Sequence, residues 1–427
     1  MIIRLKRPIG ACMLAGALLI LVAGCQHHFN AAHAATYYVA TTGDNSNPGT
    51  EAQPFRTIAH AVNTMVAGDT TYVRGGTYSG HVRFRRSGRV QAPIKLLNYP
   101  GENPIIDFGK TPATVTSEDM ILLQSGRNTP IGWITIEGFE IQRGWKAIKW
   151  HNLHDSVIRR NWMHDALRGS AILAIGGTRV LIDRNRISHN AVVTPGDNET
   201  GGHGVYLHGS AYTLTNNIFY DNHNFEIQMN GSSTSAYNPA IHPSPEFAGA
   251  ANWVIANNTL AYNKNGAGIV VWGSLCNNAR IENNIFYENA VNKSSSTPQG
   301  VHFTGASSAT GIQIRNNHFY ASGSGGTVAI GVTGATEGVT YTQSDNIVNV
   351  SPPGFVNGGN NALPSSPDWR LRAGSPAIDK GLTLSAVTTD FTGTARTQGR
   401  AYDIGAYEYN AGGDSNAPFT VQNVQIH

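Results

Sequence analysis

The sequence predicts an all-β protein: a right-handed parallel β-helix, which is a solenoid of stacked coils, with a short capping helix at its N-terminal end. Three observations support this fold class. A short motif ending in asparagine repeats along the chain, its spacing is that of one solenoid coil, and its copies alternate apolar and polar residues. Gly is also abundant, at 48 of 427 residues, which suits a fold with many turns.

The repeat is read most easily from its asparagines. They are 24, 32, 41, 26 and 33 residues apart, at positions Asn161, Asn185, Asn217, Asn258, Asn284 and Asn317. A period in the twenties with variable insertions fits a coil of short strands and turns, and period-two alternation fits strands with one buried face. We expect these asparagines to hydrogen-bond from coil to coil, which makes their role structural.

The segments on either side of the repeat can be assigned as well. Residues 54–66 carry apolar side chains every three or four positions, which predicts the capping helix. The predicted boundaries are a signal peptide at 1–25, a tether at 26–35, the β-helix at 36–345, a C-terminal cap or anchor-type segment at 346–410 and a tail at 411–427.

The N-terminus has the layout of a bacterial export signal. Basic residues at 4–7 precede a short apolar run at 10–23, and residues 21–25 read LVAGC, which resembles a lipobox. We therefore predict lipidation at Cys25, which would tether the protein to a membrane as an outer-membrane or cell-surface lipoprotein. The alternative is cleavage after Ala34, which would give a periplasmic or secreted protein.

Composition narrows the choice of partners. The formal net charge is only +3 and 13% of residues are charged, so we predict no nucleic-acid partner. Of the three cysteines, Cys12 and Cys25 belong to the export signal, which leaves Cys276 without a disulfide partner. We expect a monomer whose ligand is an acidic polysaccharide.

Two segments resemble a known superfamily. Residues 37–78 look like the opening of secreted right-handed β-helix proteins of the pectate-lyase-like superfamily, and residues 375–381 and 389–409 are similar to a short domain that often ends such surface proteins. The resemblance implies the fold. It transfers no catalytic residue, because the superfamily contains lyases, hydrolases, epimerases and proteins of unknown activity.

The uneven spacing of the repeat indicates a candidate site. The two longest intervals place extra residues at 191–202 and 231–250. Long loops on a rigid scaffold often carry binding function, although a solenoid also tolerates insertions without one. Between these loops, strand alternation predicts that Tyr206 and His208 face outward.

The same alternation predicts one polar outward face across several coils. On the coil after Tyr206 it places Phe225, Ile227 and Met229 inward and Glu226 outward. Trp272 would extend the face as a platform for stacking on sugars. The residues predicted to share the face are Lys149, His151, Tyr206, His208, Glu226 and Gln228.

These residue types suit β-elimination from a uronate. A cation neutralises the carboxylate, a base removes the neighbouring proton, and an acid protonates the leaving oxygen. We therefore favour a polysaccharide lyase. The catalytic candidates are Lys149, His203, Tyr206, His208 and Glu226; the substrate-binding candidates are His151, Arg168, Gln228 and Trp272, with Arg168 and Arg184 as neutralising cations.

Alternatives to a lyase stay open. Hydrolysis needs paired carboxylates, for which Glu226 with Asp183 or Glu199 is the available set. An epimerase, or a non-catalytic carbohydrate-binding or structural surface lipoprotein, would use the same groove. No cofactor is required by the sequence and no metal ligands are predicted, although an oxygen-rich loop at 197–199 leaves Ca²⁺ as an alternative.

Overall fold

The structure is a computed structural model. It describes residues 34–411 apart from 117–118, 127, 192–201, 232–237, 295, 306–307, 323–325 and 335–337. The predicted signal peptide, Cys25 and the tether up to residue 33 therefore lie outside the described residues. So do the calcium alternative at 197–199, Glu199, and the tail beyond residue 411.

The described chain forms a parallel β-helix. Most strands are short and each pairs in parallel with the equivalent strand of the next coil. In chain order the strands are β1 Thr36–Val39, β2 Thr70–Val73, β3 Gly76–Tyr78, β4 Val82–Phe84, β5 Ile94–Asn98, β6 Pro104–Asp107, β7 Asp119–Leu123, β8 Ile131–Gly132, β9 Ile134–Glu137, β10 Glu140–Gln142, β11 Lys146–Arg159, β12 Trp162–His164, β13 Ile172–Asp183, β14 Arg186–Ser188, β15 Val205–Leu207, β16 Thr213–Thr215, β17 Ile218–Tyr220, β18 Ile227–Gly231, β19 Val254–Ala256, β20 Thr259–Ala261, β21 Ile269–Gly273, β22 Arg280–Glu282, β23 Ile285–Tyr287, β24 Pro298–Thr304, β25 Ala309–Arg315, β26 His318–Tyr320, β27 Val328–Thr333, β28 Val339–Ser344, β29 Ile347–Val348, β30 Phe355–Asn357 and β31 Asp368–Leu371.

The strands of the described chain divide into two long sheets and a small pair. The second long sheet runs through β3, β6, β10, β12, β14, β17, β20, β23, β26 and β29, and the larger sheet contains the other strands up to β28. Strands β30 and β31 form an antiparallel pair after the last coil. The apolar core lies inside the coils, between the sheets.

A helix closes the N-terminal end, as the sequence predicts. Helix α1, Ile58–Thr64, is shorter than the predicted segment 54–66. It begins late because Thr57 is extended and its side-chain oxygen accepts a hydrogen bond from the His60 backbone N–H at 3.2 Å, which makes Thr57 the N-cap. One face of the helix is buried at the end of the solenoid, through Ile58, Ala61 and Val62. Among the helices of the described residues, none has the length and apolar character that crossing a membrane requires.

The marker asparagines form a ladder inside the solenoid, which confirms their structural role. At each rung the Nδ2 of one asparagine donates to the Oδ1 of the next, at 3.1 Å from Asn161 to Asn185 and 2.9 Å from Asn217 to Asn258. The same Nδ2 also donates to a backbone carbonyl, as from Asn217 to Ile182 at 2.8 Å. These bonds matter because a buried amide without partners costs about 1–3 kcal/mol. The rungs are Asn161, Asn185, Asn217, Asn258, Asn284, Asn317 and Asn346.

Glycine and phenylalanine are matched inside three coils. In each of these coils, a glycine at or just before the start of a strand of the larger sheet lies against a phenylalanine of the second sheet. A Cβ added to the glycine would approach the phenylalanine ring to 2.9 Å or less. The pairs are Gly204 with Phe219, Gly268 with Phe286, and Gly300 with Phe319. On the coil between the first two pairs, the equivalent positions hold Glu226 and Leu260. The smaller leucine leaves room for the larger corner side chain.

The C-terminal segment, residues 375–408, packs against the outside of the solenoid. It lies along the turns that carry the ladder, where the residue before each rung has a positive φ, 54° at both Asn216 and Asn257. The side chains at this position hold the segment: Asn257 donates to the Asp403 carbonyl at 3.0 Å and Asn316 to the Lys380 carbonyl at 2.9 Å. In an Asn-Asn motif, the second asparagine therefore forms the ladder and the first binds the C-terminal segment.

Candidate functional site

The outward face of the larger sheet carries most of the predicted site residues. Strand register places Lys149, Leu173, Tyr206, Gln228 and Val270 at successive positions of one column. A second column lies two residues further along each strand, and it contains His151, His208, Asn230 and Trp272. We call these two columns the site face. Of the six residues predicted to share one outward face, Lys149, His151 and Tyr206 lie in these columns by strand register, and the ring of His208 lies beside that of Tyr206.

The centre of the site face is a cluster of three polar side chains. The rings of Tyr206 and His208 are neighbours, with centroids 5.2 Å apart. Asn230, on the next coil, donates a hydrogen bond from its Nδ2 to the Tyr206 hydroxyl. Tyr206, His208 and Asn230, which we call the Tyr206 cluster, thus bring a partly exposed phenol and imidazole together with an amide that is only 2% exposed.

Burial sets the protonation states of the cluster. It lowers the pKa of His208 to about 4, with a further contribution from the neighbouring His242, so the imidazole is neutral near pH 7. Burial also raises the pKa of Tyr206, against the hydrogen bond from Asn230, so the phenol keeps its proton. The cluster therefore pairs a proton acceptor with a proton donor, which is the division of labour that acid–base catalysis requires.

The second predicted insertion borders the cluster. Its described part, residues 238–250, packs on β11 and on the turn after β15: Asn152 donates to the Ile241 carbonyl at 2.6 Å, and Ser210 donates to the Glu246 carbonyl at 2.5 Å. The loop brings His242, which is 1% exposed, close enough to His208 to lower its pKa. Sequence reasoning missed His242 because no strand alternation orients a loop residue.

The site face continues as a basic surface toward the N-terminal end. Arg83 occupies the column of Lys149, since β4, β7 and β11 are in register. With Arg85 and Asp119 it lines an open cavity of about 370 Å³. Lys149 reaches the same region, where its Nζ lies 3.1 Å from Asp119 Oδ2. A row of cations along one face favours an acidic polymer.

Glu226 does not lie on the site face, and the prediction that it faces outward is wrong. Its side chain is fully buried and accepts a hydrogen bond from Asn222. The reason is that β18 begins only at Ile227, so strand alternation does not extend back to Glu226. Phe225, predicted to face inward, instead stacks on His203 with ring centroids 5.4 Å apart. Burial raises the pKa of Glu226 well above its usual value.

Two further candidates contact the cluster rather than solvent. Gln228 is in register with Tyr206 as predicted, but it is only 4% exposed. His203 is 2% exposed and stacks on Tyr206 at 5.4 Å, and burial lowers the pKa of His203 to about 3. Trp272 is different, because 40% of it is exposed and it lies in register with Asn230.

The predicted neutralising cations lie at the two ends of β13. Arg168 is partly exposed in the turn before this strand. Arg184 follows the strand and binds Asp183 at 2.7 Å, which places both residues at a different turn from the site face. Among the described residues, no group of three or more His, Cys, Asp or Glu side chains is arranged to hold a metal ion.

Two family descriptions match the chain. The family described as Pel9A-like, right handed beta helix region, matches residues 37–193. The family described as right handed beta helix region matches residues 121–350, which is more than half of the chain. The predicted fold class, including its right-handed sense, is thereby confirmed.

Individual relatives match over shorter stretches or at lower identity. Pectate lyase PEL9 from Emericella nidulans is 38% identical over 101 residues, which cover 23% of this chain and 25% of that protein. The uncharacterized protein YwoF from Bacillus subtilis is 34% identical over 105 residues, 24% of this chain and 22% of YwoF. The chain thus matches about a quarter of the length of these curated relatives. The crystal structure of pectate lyase Pel9A superposes with a TM-score of 0.58 at 18% identity, covering 88% of this chain and 96% of that one.

Proposed function

This chain belongs to the right-handed β-helix family, and on that premise we propose that it is a polysaccharide lyase that cleaves a uronate-containing glycan by β-elimination. The fold is shared by enzymes of several classes, so the proposal rests on the site. The observation that carries it is the Tyr206 cluster, in which a protonated phenol and a neutral imidazole are neighbours on an outward face. Similarity to a pectate lyase over 101 residues supports the substrate class.

The cluster supplies the groups that elimination needs. With a uronate bound across the cluster, the basic end of the site face stabilises the charge that develops on the carboxylate, while the amide of Asn230 holds the Tyr206 hydroxyl in position. His208 takes the proton from C5, and Tyr206 gives its phenolic proton to the glycosidic oxygen. The C5–H and C4–O bonds break, a C4=C5 double bond forms, and proton transfer from His208 to Tyr206 restores both groups.

The rest of the site face supports an extended substrate. Strand register continues one column from Arg83 through Tyr206 to His302, a span of about 30 Å at roughly 4.8 Å per coil. Lys149 and Arg83 would attract an acidic polymer, and the exposed ring of Trp272 would stack on a sugar. We propose that His151 contacts the same chain, whereas Gln228, which is only 4% exposed, packs beside Tyr206 instead.

Hydrolysis is less well supported than elimination. It needs two carboxylates at the scissile bond. Glu226 is buried in the interior, and Asp183 lies at a turn away from the site face, where it binds Arg184. The available groups on the described site face are an imidazole, a phenol, amides and cations.

The test is incubation of the purified protein with a panel of uronate polysaccharides, with and without Ca²⁺. The product of elimination is an unsaturated uronate, which absorbs at about 235 nm. We expect rising absorbance on at least one acidic glycan, loss of at least about 100-fold in rate for Tyr206→Phe and for His208→Ala, and normal rates for the distant control Tyr99→Phe. Reducing ends without absorbance would indicate hydrolysis, and binding without either product would indicate a non-catalytic protein.

We also propose that Cys25 carries a lipid anchor. The basic, apolar and LVAGC segments at the N-terminus support this location. Radiolabelled palmitate should be incorporated into the wild-type chain but not into Cys25→Ala, and the variant should leave the membrane fraction. Cleavage after Ala34 in the wild type would contradict the anchor.

A further inference from the structure

A second candidate binding site lies at another corner of the solenoid, where the turns meet residues 366–369 and the C-terminal segment. It is a cavity of about 270 Å³. Its lining includes three arginines and two tryptophans, which are Arg160, Arg184, Arg186, Trp162 and Trp369. We call it the arginine pocket. It is separate from the site face, because its residues lie on the turn after the larger sheet and on the second sheet.

The pocket exists because two coils depart from the Asn-Asn motif. Where the motif is intact, the first asparagine binds the C-terminal segment directly, as Asn283 does through two 2.8 Å bonds with Leu382. In the two coils before Asn216, this position holds Arg160 and Arg184, both with φ of 54°. Their guanidinium groups converge beneath Gly393, where an added Cβ would lie 3.4 Å from Arg160 Nη2 and 3.8 Å from Arg184 Nη1.

The nearby carboxylates are already bound, Asp183 to Arg184 itself and Glu137 to Arg159. Glu137 binds Arg159 at 2.7 Å, and its nearest approach to Arg160 is 3.9 Å, beyond a hydrogen bond. Asp183 binds Arg184 at 2.7 Å but also accepts from Thr215 at 2.9 Å. Burial and the charge of Arg184 lower the pKa of Arg160, although Glu137 and Asp183 act in the opposite direction. An anion between the two cations would offset the repulsion between them.

The aspartate that lines the cavity is also paired, since Asp368 binds Arg370 at 2.5 Å. Arg186 has aromatic rather than anionic neighbours. Its guanidinium lies 4.7 Å from the ring centre of Trp162, and its Nε donates to the Tyr220 hydroxyl at 2.8 Å. Arginines held flat against aromatic rings keep their remaining N–H groups available for planar carboxylates.

The walls of the pocket indicate a ring-shaped ligand. Trp162 and Trp369 line it with Phe139, Phe391 and Tyr407, and aromatic faces of this kind pack against the apolar faces of sugars. Within the described residues the indole N–H of Trp369 is buried without a hydrogen-bond partner. Such a donor is costly to leave unpaired. The volume is at the small end of the roughly 300–1,000 Å³ typical of ligand sites, which suits one sugar unit.

We infer that the arginine pocket binds a single carboxylated sugar, with the carboxylate between Arg160 and Arg184 and the sugar ring against the tryptophans. The inference does not depend on lyase activity at the site face. Either a free uronate or the end of a uronate chain offers this chemistry, and oligomers of increasing length distinguish the two sources.

The test is a fluorescence titration that uses the tryptophans of the pocket. Galacturonate and glucuronate should change the emission saturably, with a Kd on the order of 1 mM or tighter, whereas galactose should not. Arg160→Gln should weaken binding about tenfold, and Trp162→Phe should remove most of the signal. Arg74→Gln, a partly exposed arginine paired with Glu102 in the N-terminal coils, is the matched control and should bind normally.

Each part of the inference is tested by a separate measurement. His208→Ala should bind the monosaccharide normally, because that residue belongs to the site face. Loss of binding in this variant would indicate that the monosaccharide binds at the site face instead. Equal affinity for galactose, or stronger affinity for inorganic phosphate than for galacturonate, would overturn the assignment of a carboxylated sugar. Retention of full affinity by both Arg160→Gln and Arg184→Gln, with circular dichroism unchanged, would overturn the site.

Discussion

Replacing Glu226 with glutamine should make the protein more stable at neutral pH. Glu226 is fully buried, its Oε2 accepts from Asn222, and within the described residues its Oε1 has no hydrogen-bond partner. Burial raises the pKa of this carboxyl, and the charge of Asp221 adds to the effect. Glutamine has the same shape and keeps an oxygen for Asn222, but it carries no charge at any pH.

The direction of the effect follows from proton binding. Because the folded-state pKa is raised, the folded protein keeps a proton that the unfolded chain releases above about pH 4.5. The contribution of Glu226 to stability is therefore complete below that pH and falls as pH rises, by about 1.4 kcal/mol per pH unit until the folded-state pKa is passed. An unsatisfied buried group costs about 1–3 kcal/mol, and more when charged, so Glu226→Gln should gain at least that much by pH 8.

Thermal unfolding between pH 4 and pH 8 measures this difference. Wild type and Glu226→Gln should unfold at similar temperatures near pH 4 and diverge as pH increases, with the variant more stable. Glu246→Gln is the control, because Glu246 is about half exposed and bound to Arg179, so its removal should add no stability that grows with pH. Parallel pH curves for wild type and Glu226→Gln would refute the reasoning.

Further predictions concern the ladder, the core and the site face. Asn217→Ala should destabilise the protein by about 2–4 kcal/mol in chemical denaturation, because it leaves buried ladder partners unsatisfied; a loss below about 0.5 kcal/mol would contradict the structural role. Leu260→Phe alone should cost about 1–3 kcal/mol by overpacking, whereas combination with Glu226→Gly should recover most of it; simple additivity in the double-mutant cycle would count against the matched pairs. Trp272→Ala should raise KM for a polymeric substrate with little change in unfolding temperature, since 40% of the residue is exposed; an unchanged KM would remove it from the binding surface. For elimination, kcat/KM should not fall on the acid side until pH approaches about 4, the pKa of His208, and an acid limb near pH 6.5 would argue against His208 as the base.

Repetition made the fold predictable. A rung needs a side chain that accepts from one neighbour and donates to the next, and the amide of asparagine, with an acceptor oxygen and two donor hydrogens, recurs at this position from Asn161 to Asn346. The same periodicity placed Tyr206 correctly, since β15 is a regular strand that spans Val205–Leu207, and His208 follows directly after it with its ring beside that of Tyr206. Within such a strand, alternation determines the direction of each side chain.

Prediction failed where the backbone leaves the strand. Glu226 lies one residue before β18 begins, so its inward direction is set by the corner and by the room beside Leu260. Asn230 was within reach of the same reasoning, because it continues the alternation of Gln228 along β18, but its bond to Tyr206 depends on the pairing of two coils. His242 and the packing of the C-terminal segment depend on contacts between residues far apart in sequence.

The asparagine ladder also has a sense of direction. Each rung from Asn161 to Asn317 donates to the rung of the next coil, and each rung from Asn185 to Asn346 accepts from the one before, so six amide-to-amide bonds run in the same direction along the axis. Aligned hydrogen bonds polarise one another, so each bond strengthens its neighbours. An aspartate at a middle rung, such as Asn217→Asp, could accept but no longer donate, and would divide the column into two shorter dipoles. Each coil is thus electrically coupled to coils that it does not touch.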